Sequence, residues 1–158
     1  MNIKKEKKII GRKDRADFPD LDLYNINIKI DTGAYTGSIH CHNIQISERE
    51  SEGYVQFNLL DPLDPEYDEK VYSLPLHKIK KVKNSFGETE TRFFIKTKFL
   101  IFNETFEIQL SLTNRENMKF PILIGRKFLR NRFIVDATKV NLSYRQKKKL
   151  MKQSKRKL

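Results

Sequence analysis

Polar and apolar residues alternate with a period of two along much of this chain. Ile26, Ile28 and Ile30 are separated by Asn27 and Lys29. Ile95, Thr97 and Phe99 alternate with Phe94, Lys96 and Lys98, and Phe106, Ile108 and Leu110 with Glu107, Gln109 and Ser111. Side chains of a strand point to opposite faces in turn, so this period marks strands with one face in a core. The pattern predicts strands at Leu23–Ile30, Ser38–Ile46, Tyr54–Leu60, Val71–Pro75, His77–Lys83, Thr91–Phe102, Glu104–Leu112 and Ile122–Ile124. A hairpin turn is expected at Asn103-Glu104. The acidic stretch 61–69, with Pro62 and Pro65, reads as a loop. Helical patterning is sparse: Arg126–Arg132 reads as one short helix. No internal repeat is visible, so the chain is not a duplicated two-lobed protein. These elements make a small all-β barrel or sandwich.

At 158 residues the chain is long enough for one domain with a real core. Its single cysteine, Cys41, excludes an intramolecular disulfide and fits a reducing compartment. The first ten residues are charged and lack an apolar stretch of signal-peptide length, and no run approaches a membrane-spanning helix. The expectation is a cytoplasmic protein without membrane contact. The net charge of +12 is uneven. Residues 145–158 carry eight positive residues and no acid, which leaves +4 for the rest. The sequence thus divides into a flexible basic lead (1–10), a domain (11–144) and a basic tail (145–158) read as disordered or nascent helix. Such a tail can bind RNA, a ribosome or another polyanion by releasing counterions.

Two stretches carry chemistry. Asp31-Thr32-Gly33-Ala34 ends an alternating strand at a carboxylate. Aspartic proteases present their catalytic aspartate as Asp-Thr-Gly: an acid, a small partner that locks it, and a glycine that lets the chain turn tightly. About ninety residues later, Ile122-Leu123-Ile124 is followed by Gly125-Arg126. Together these stretches resemble retropepsins. Lys29–Ala34, Thr36–His40, Gly87–Arg92, Leu112–Arg115 and Phe120–Arg126 through Asp136 are similar to the bacterial and archaeal retropepsin-like proteins catalogued as "ATP-dependent zinc proteases". The similarity spans roughly residues 9–143.

The resemblance implies a retropepsin-like closed β-barrel with one short C-terminal helix, and an aspartic peptidase. Its genes neighbour ATP-grasp ligases that add glutamates to ribosomal protein, which implies a ligase partner and a peptide or protein substrate carrying glutamate tails. An aspartic peptidase needs two carboxylates, and this chain has one Asp-Thr-Gly, so a homodimer would supply the pair. Asp31 would be catalytic, Thr32 would lock the two loops, and Gly33 and Ala34 would offer backbone groups to substrate. Tyr35 stands where the family usually has a basic residue. A hairpin around Lys83–Glu88, with Phe86 and Gly87 at its tip, would be the flap over the groove. Arg92, Arg115 and Ile124 complete the expected substrate contacts, the arginines as forks for carboxylates. Despite the family's label, no cofactor or metal is expected. The chain has no His-Glu-x-x-His and no phosphate loop, and His40, Cys41 and His42 read as strand residues. Alternatives are a non-catalytic binding module of the same fold, or an RNA- or ribosome-associated protein acting through the tail.

Overall fold

A computed structural model describes residues 6–49, 52–60, 67–83, 86–114 and 119–156. The chain is mostly strand: β1 (Lys8–Ile10), β2 (Lys13–Phe18), a 3-10 turn at Pro19–Leu21, β3 (Leu23–Asp31), β4 (Gly37–Arg49), β5 (Glu52–Leu59), β6 (Val71–Pro75), β7 (Lys78–Lys83), β8 (Thr89–Ile101) and β9 (Glu104–Thr113). Then come β10 (Ile122–Gly125), a single helical turn α1 (Arg126–Leu129), β11 (Phe133–Val135) and helix α2 (Leu142–Arg156). Every strand expected from alternation is present, with ends shifted by a few residues. In β8, Ile95, Thr97 and Phe99 are buried and Lys96 and Lys98 exposed, as the period of two requires.

The main sheet runs β10-β3-β2-β8-β9-β4-β5-β6, with β7 paired to β8. Strand β10 also pairs with β4, so the path from β10 through β3, β2, β8, β9 and β4 returns to its start. Two links of this circuit are short. β2 meets β8 at Asp17 and Leu100, and β10 meets β4 at two positions. Inside lies one apolar core. Phe18 stacks on Phe99 at 4.9 Å, and Phe128 lies edge-on to Phe99 at 5.1 Å.

Four elements depart from the sequence reading. Residues 8–10 are not a loose lead. β1 pairs in parallel with β11, and Ile10 is fully buried. The stretch 13–18 is a strand whose inward positions are Asp14, Ala16 and Phe18. A carboxylate in the inward phase hid the alternation. The β8–β9 turn falls at Phe102-Asn103, one residue earlier than expected, and both adopt positive φ. That left-handed pair suits a two-residue hairpin. Phe102 tolerates it because its N–H donates to Ser143 Oγ and its ring packs on Phe133.

Residues 142–156 form α2 rather than a disordered tail. Asp14 explains why. Its side chain is 1% exposed, and its oxygens accept hydrogen bonds from the N–H groups of Ser143 (2.9 Å), Tyr144 (3.0 Å) and Arg15 (2.8 Å). A carboxylate satisfies the orphan donors of a helix N-terminus and is favoured by the helix dipole. Lys147 ties the second turn to Asp17 and Asn25. Among the described residues no helix is long and apolar enough to cross a membrane.

Removing this cap should free α2. Asp14→Ala leaves two N–H groups of α2 without acceptors and should cost about 1–3 kcal/mol, with loss of helical circular dichroism. Desolvation raises the Asp14 pKa above its ordinary 3.8, against the opposing pull of its N–H donors. The folded state therefore holds its proton more tightly than the unfolded chain. The contribution is largest below the unfolded value and declines as pH rises through the folded one. The stability difference between wild type and Asp14→Asn, followed by urea unfolding against pH, should narrow or reverse over that window in the direction that favours the Asn variant.

Candidate active site

Alternation along β3 decides where Asp31 points. Ile26, Ile28 and Ile30 face the core, so Asp31 falls in the outward phase at the strand's end, half-buried. The chain then turns. Asp31 Oδ1 accepts the Gly33 N–H at 3.1 Å, and the Asp31 carbonyl accepts the Ala34 N–H at 3.2 Å. Thr32 and Gly33 are exposed and Ala34 is half-buried. The carboxylate is thereby held at the mouth of a tight loop whose tip faces outward.

What fixes that loop is β10. It runs parallel to β3 with Ile124 opposite Ile30 and Gly125 opposite Asp31. At Gly125 the backbone passes against the loop between β3 and β4. A Cβ there would lie 2.6 Å from the Tyr35 carbonyl oxygen and 2.8 Å from Gly37 N and Thr36 C. A Cβ on Gly37 would lie 2.3 Å from the Leu123 carbonyl oxygen. Only two glycines allow the strands to cross so closely. Immediately afterwards, Arg126 N–H donates to the Ala34 carbonyl at 2.8 Å and Lys127 N–H to the Tyr35 carbonyl at 2.9 Å. The Arg126 guanidinium reaches the Thr32 carbonyl at 3.4 Å. The two motifs that the sequence places about ninety residues apart therefore form one hydrogen-bonded unit.

Tyr35 is 44% exposed and gathers cations. Arg126, Lys127 and Arg130 lie 5.4, 5.9 and 5.8 Å from its ring centroid. The face of an aromatic ring attracts cations at such distances. Three cations thus gather at the ring beside the Asp31 loop. Sequence reasoning did not single out Lys127 or Arg130. Their spacing around a one-turn helix after Gly125 was the available signal. A cavity of about 550 Å³ adjoins the loop, bordered by Thr36, Lys96, Lys127, Arg130 and Arg132.

The other expected contacts are spread out. Phe86 is 88% exposed, and Gly87 has φ of +79°, both in the connection between β7 and β8. Residues 84 and 85 of that hairpin lie outside the described residues. Arg92, on β8, is half-buried. One of its terminal nitrogens is 3.6 Å from Glu90, while its Nε is buried without a hydrogen-bond partner. Arg115 lies outside the described residues. Ile124 is a core residue at 1% exposure, so its side chain packs inward instead of lining an open groove.

A zinc site does not fit these residues. The His40 and His42 rings contact each other at 5.0 Å in a T-shape, but among the described residues no group of three or more His, Cys, Asp or Glu side chains converges. Between them, Cys41 is buried and its thiol pKa is pushed up to about 12 by desolvation. Zinc takes the thiolate, which that burial opposes.

This geometry defines a retropepsin-like fold with an aspartate loop crossed by a glycine strand. Comparison with known proteins agrees. Residues 9–148 match the family described as "Retropepsin-like aspartic endopeptidase RimB". The chain belongs to this RimB-like family. Among curated relatives, a "Probable alpha-L-glutamate ligase" from Desulfotalea psychrophila is 38% identical over 131 residues, covering 82% of this chain and 28% of the relative. Proteins of the same name from Shewanella pealeana and Parasynechococcus marenigrum are 34% and 32% identical, with 81% of this chain and 28% of theirs covered. The chain thus spans 28% of the length of these curated relatives. A solved Legionella pneumophila protein of unknown function shares the fold, with a TM-score of 0.69 at 24% identity, covering 87% of this chain and 99% of its own.

The crossing sets a clear expectation. Gly125→Ala should destabilise the protein by about 3 kcal/mol or more, because the new methyl meets backbone rather than a movable side chain. The urea midpoint measures it. A Gly87→Ala variant should lose far less, since a Cβ there meets nothing within 4 Å and only its positive φ opposes the change.

Proposed function

We propose that this chain is an aspartic peptidase that works as a homodimer and hydrolyses peptide bonds in glutamate-rich segments. One observation carries the reading: the Asp31-Thr32-Gly33 loop, locked from behind by Gly125 and Arg126, presents one carboxylate per chain with an exposed tip. Two such tips meeting on a two-fold axis would bring two Asp31 carboxylates together. Like charges held that close share one proton and titrate as a pair. One carboxylate then takes a proton from the attacking water, and the other donates one to the scissile carbonyl oxygen. Thr32, exposed at the tip, would hydrogen-bond across the interface. In this reading the strand circuit is the closed barrel of a retropepsin. The hairpin carrying Phe86 and Gly87 closes over the bound chain and excludes water.

Charge supports an acidic substrate. Arg126, Lys127 and Arg130 cluster at Tyr35, directly after the catalytic loop. Arg92, on β8, would add a further guanidinium to the substrate contacts. Arginine forks pair well with carboxylates. The relatives carry the name "Probable alpha-L-glutamate ligase", and the matched region is 28% of their length. A domain of this kind joined to a ligase fits a peptidase that trims what such a ligase builds, and a ligase is the partner we assign to this chain.

Asp31→Asn should abolish cleavage of poly-L-glutamate and acidic peptides, with thermal stability and circular dichroism unchanged. Turnover surviving in that variant would rule out the aspartic mechanism. Replacing Phe86 by Ser should lower kcat/KM by about tenfold, on the order of 1.4 kcal/mol, without changing the melting temperature.

A further inference from the structure

Of the seven positive residues on α2, six share one side. At about 100° per residue, Arg145, Lys148, Lys149, Lys152, Lys155 and Arg156 fall within an arc of about 120° on α2. All six are exposed. The opposite side faces the body: Ser143 is buried and bonded to Phe102 N–H, and Lys147 is bonded to Asp17 and Asn25. The described helix holds no acid, so nothing on it neutralises the arc. Asp14 fixes the first turn. The result is a solvent-facing cationic ridge about 17 Å long on a tethered helix.

We propose that this ridge docks on the phosphodiester backbone of a double-stranded nucleic acid. Arg145, Lys149, Lys152 and Arg156 follow one another at three- and four-residue steps, so their Cβ atoms lie about 5–6 Å apart along the helix. A row of that kind can meet successive phosphates. The one aromatic ring bordering the arc, Tyr144, already packs against Lys148 at 5.0 Å and Arg15 at 4.9 Å, so no free ring is offered for the base stacking that single-strand binding would use. The arc also lacks the Asn or Gln forks that read base edges, so contact is sequence-independent. A tethered helix and a duplex are both rigid before they meet, so little ordering entropy is lost. A flexible acidic peptide would have to be straightened along the ridge. The family match ends at residue 148, so Lys149, Lys152, Lys155 and Arg156 lie beyond the part shared with the family. Arg145 and Lys148 lie within the matched part, and the ridge extends from them beyond it.

The test uses the full chain, fluorescence anisotropy, and duplexes of about 20 base pairs in RNA and DNA form, each in two unrelated sequences. Both sequences should bind alike. The slope of log K against log salt should be about −3 to −5, set by the up to six cations engaged. Lys149→Gln/Lys152→Gln/Arg156→Gln should weaken binding at least tenfold at about 100 mM salt and flatten the slope by about 2–3. Lys149→Arg/Lys152→Arg should retain it. Whichever duplex survives the higher salt identifies the source of the backbone. Undiminished binding in the triple Gln variant, with its helix content intact, would overturn the proposal. So would the absence of duplex binding at about 50 mM salt. Poly-L-glutamate of equal charge binding as tightly through the same lysines would instead assign the ridge to acidic peptide.

Discussion

The rest of the site depends on the close crossing of Gly125 and Gly37. Strand pairing alone would leave the loop after Asp31 as a surface turn, free to take several shapes. Packed interiors deform little, so a backbone wedged against Tyr35, Thr36 and Gly37 leaves the loop one geometry. The hydrogen bonds from Arg126 and Lys127 to the Ala34 and Tyr35 carbonyls then fasten it to the next element. A carboxylate that is to act with a second one must be placed to a fraction of an ångström. The crossing supplies that precision from the scaffold and leaves the loop's own residues to face outward.

Charge is organised at two separate places by different means. At Tyr35 an aromatic ring collects three cations that would otherwise repel one another, and it does so beside the Asp31 loop. On α2 the cations are kept apart by helical geometry and aimed at solvent. A buried carboxylate, Asp14, caps that helix, and Ser143 and Lys147 join it to the body beside the cap. Desolvation pushes the Asp14 pKa up, and three N–H donors oppose that shift. Much of the chain's excess charge is thus mounted on one tethered element after the last strand.

Much of this was legible in the sequence because it is periodic. β3, β8 and β9 alternate cleanly, and their cores are where alternation puts them. The two motifs were also readable, since Asp-Thr-Gly and aliphatic-aliphatic-Gly each have a local steric reason. The misses share a cause: they depend on long-range partners. Asp14 reads as a surface residue until helix α2, some 130 positions away, needs a cap. Lys8–Ile10 reads as a charged lead until β11 offers it an edge. The 145–156 segment lacks an apolar stripe and reads as disordered, yet its first turn is fastened by hydrogen bonds rather than by burial. Ile124 shows the converse. Its place in a motif suggested a groove, and the pairing of β10 between β3 and β4 buries it.

If two Asp31 carboxylates act together, the unit of activity is a pair of chains, and subunit mixing measures that directly. Wild-type chain and Asp31→Asn chain would be combined at fixed total concentration, exchanged to equilibrium, and assayed on poly-L-glutamate. A shared dyad predicts activity proportional to the square of the wild-type fraction, about a quarter of the full rate in an equal mixture. Activity proportional to the wild-type fraction itself, about half in that mixture, would show that each chain works alone and would contradict the account.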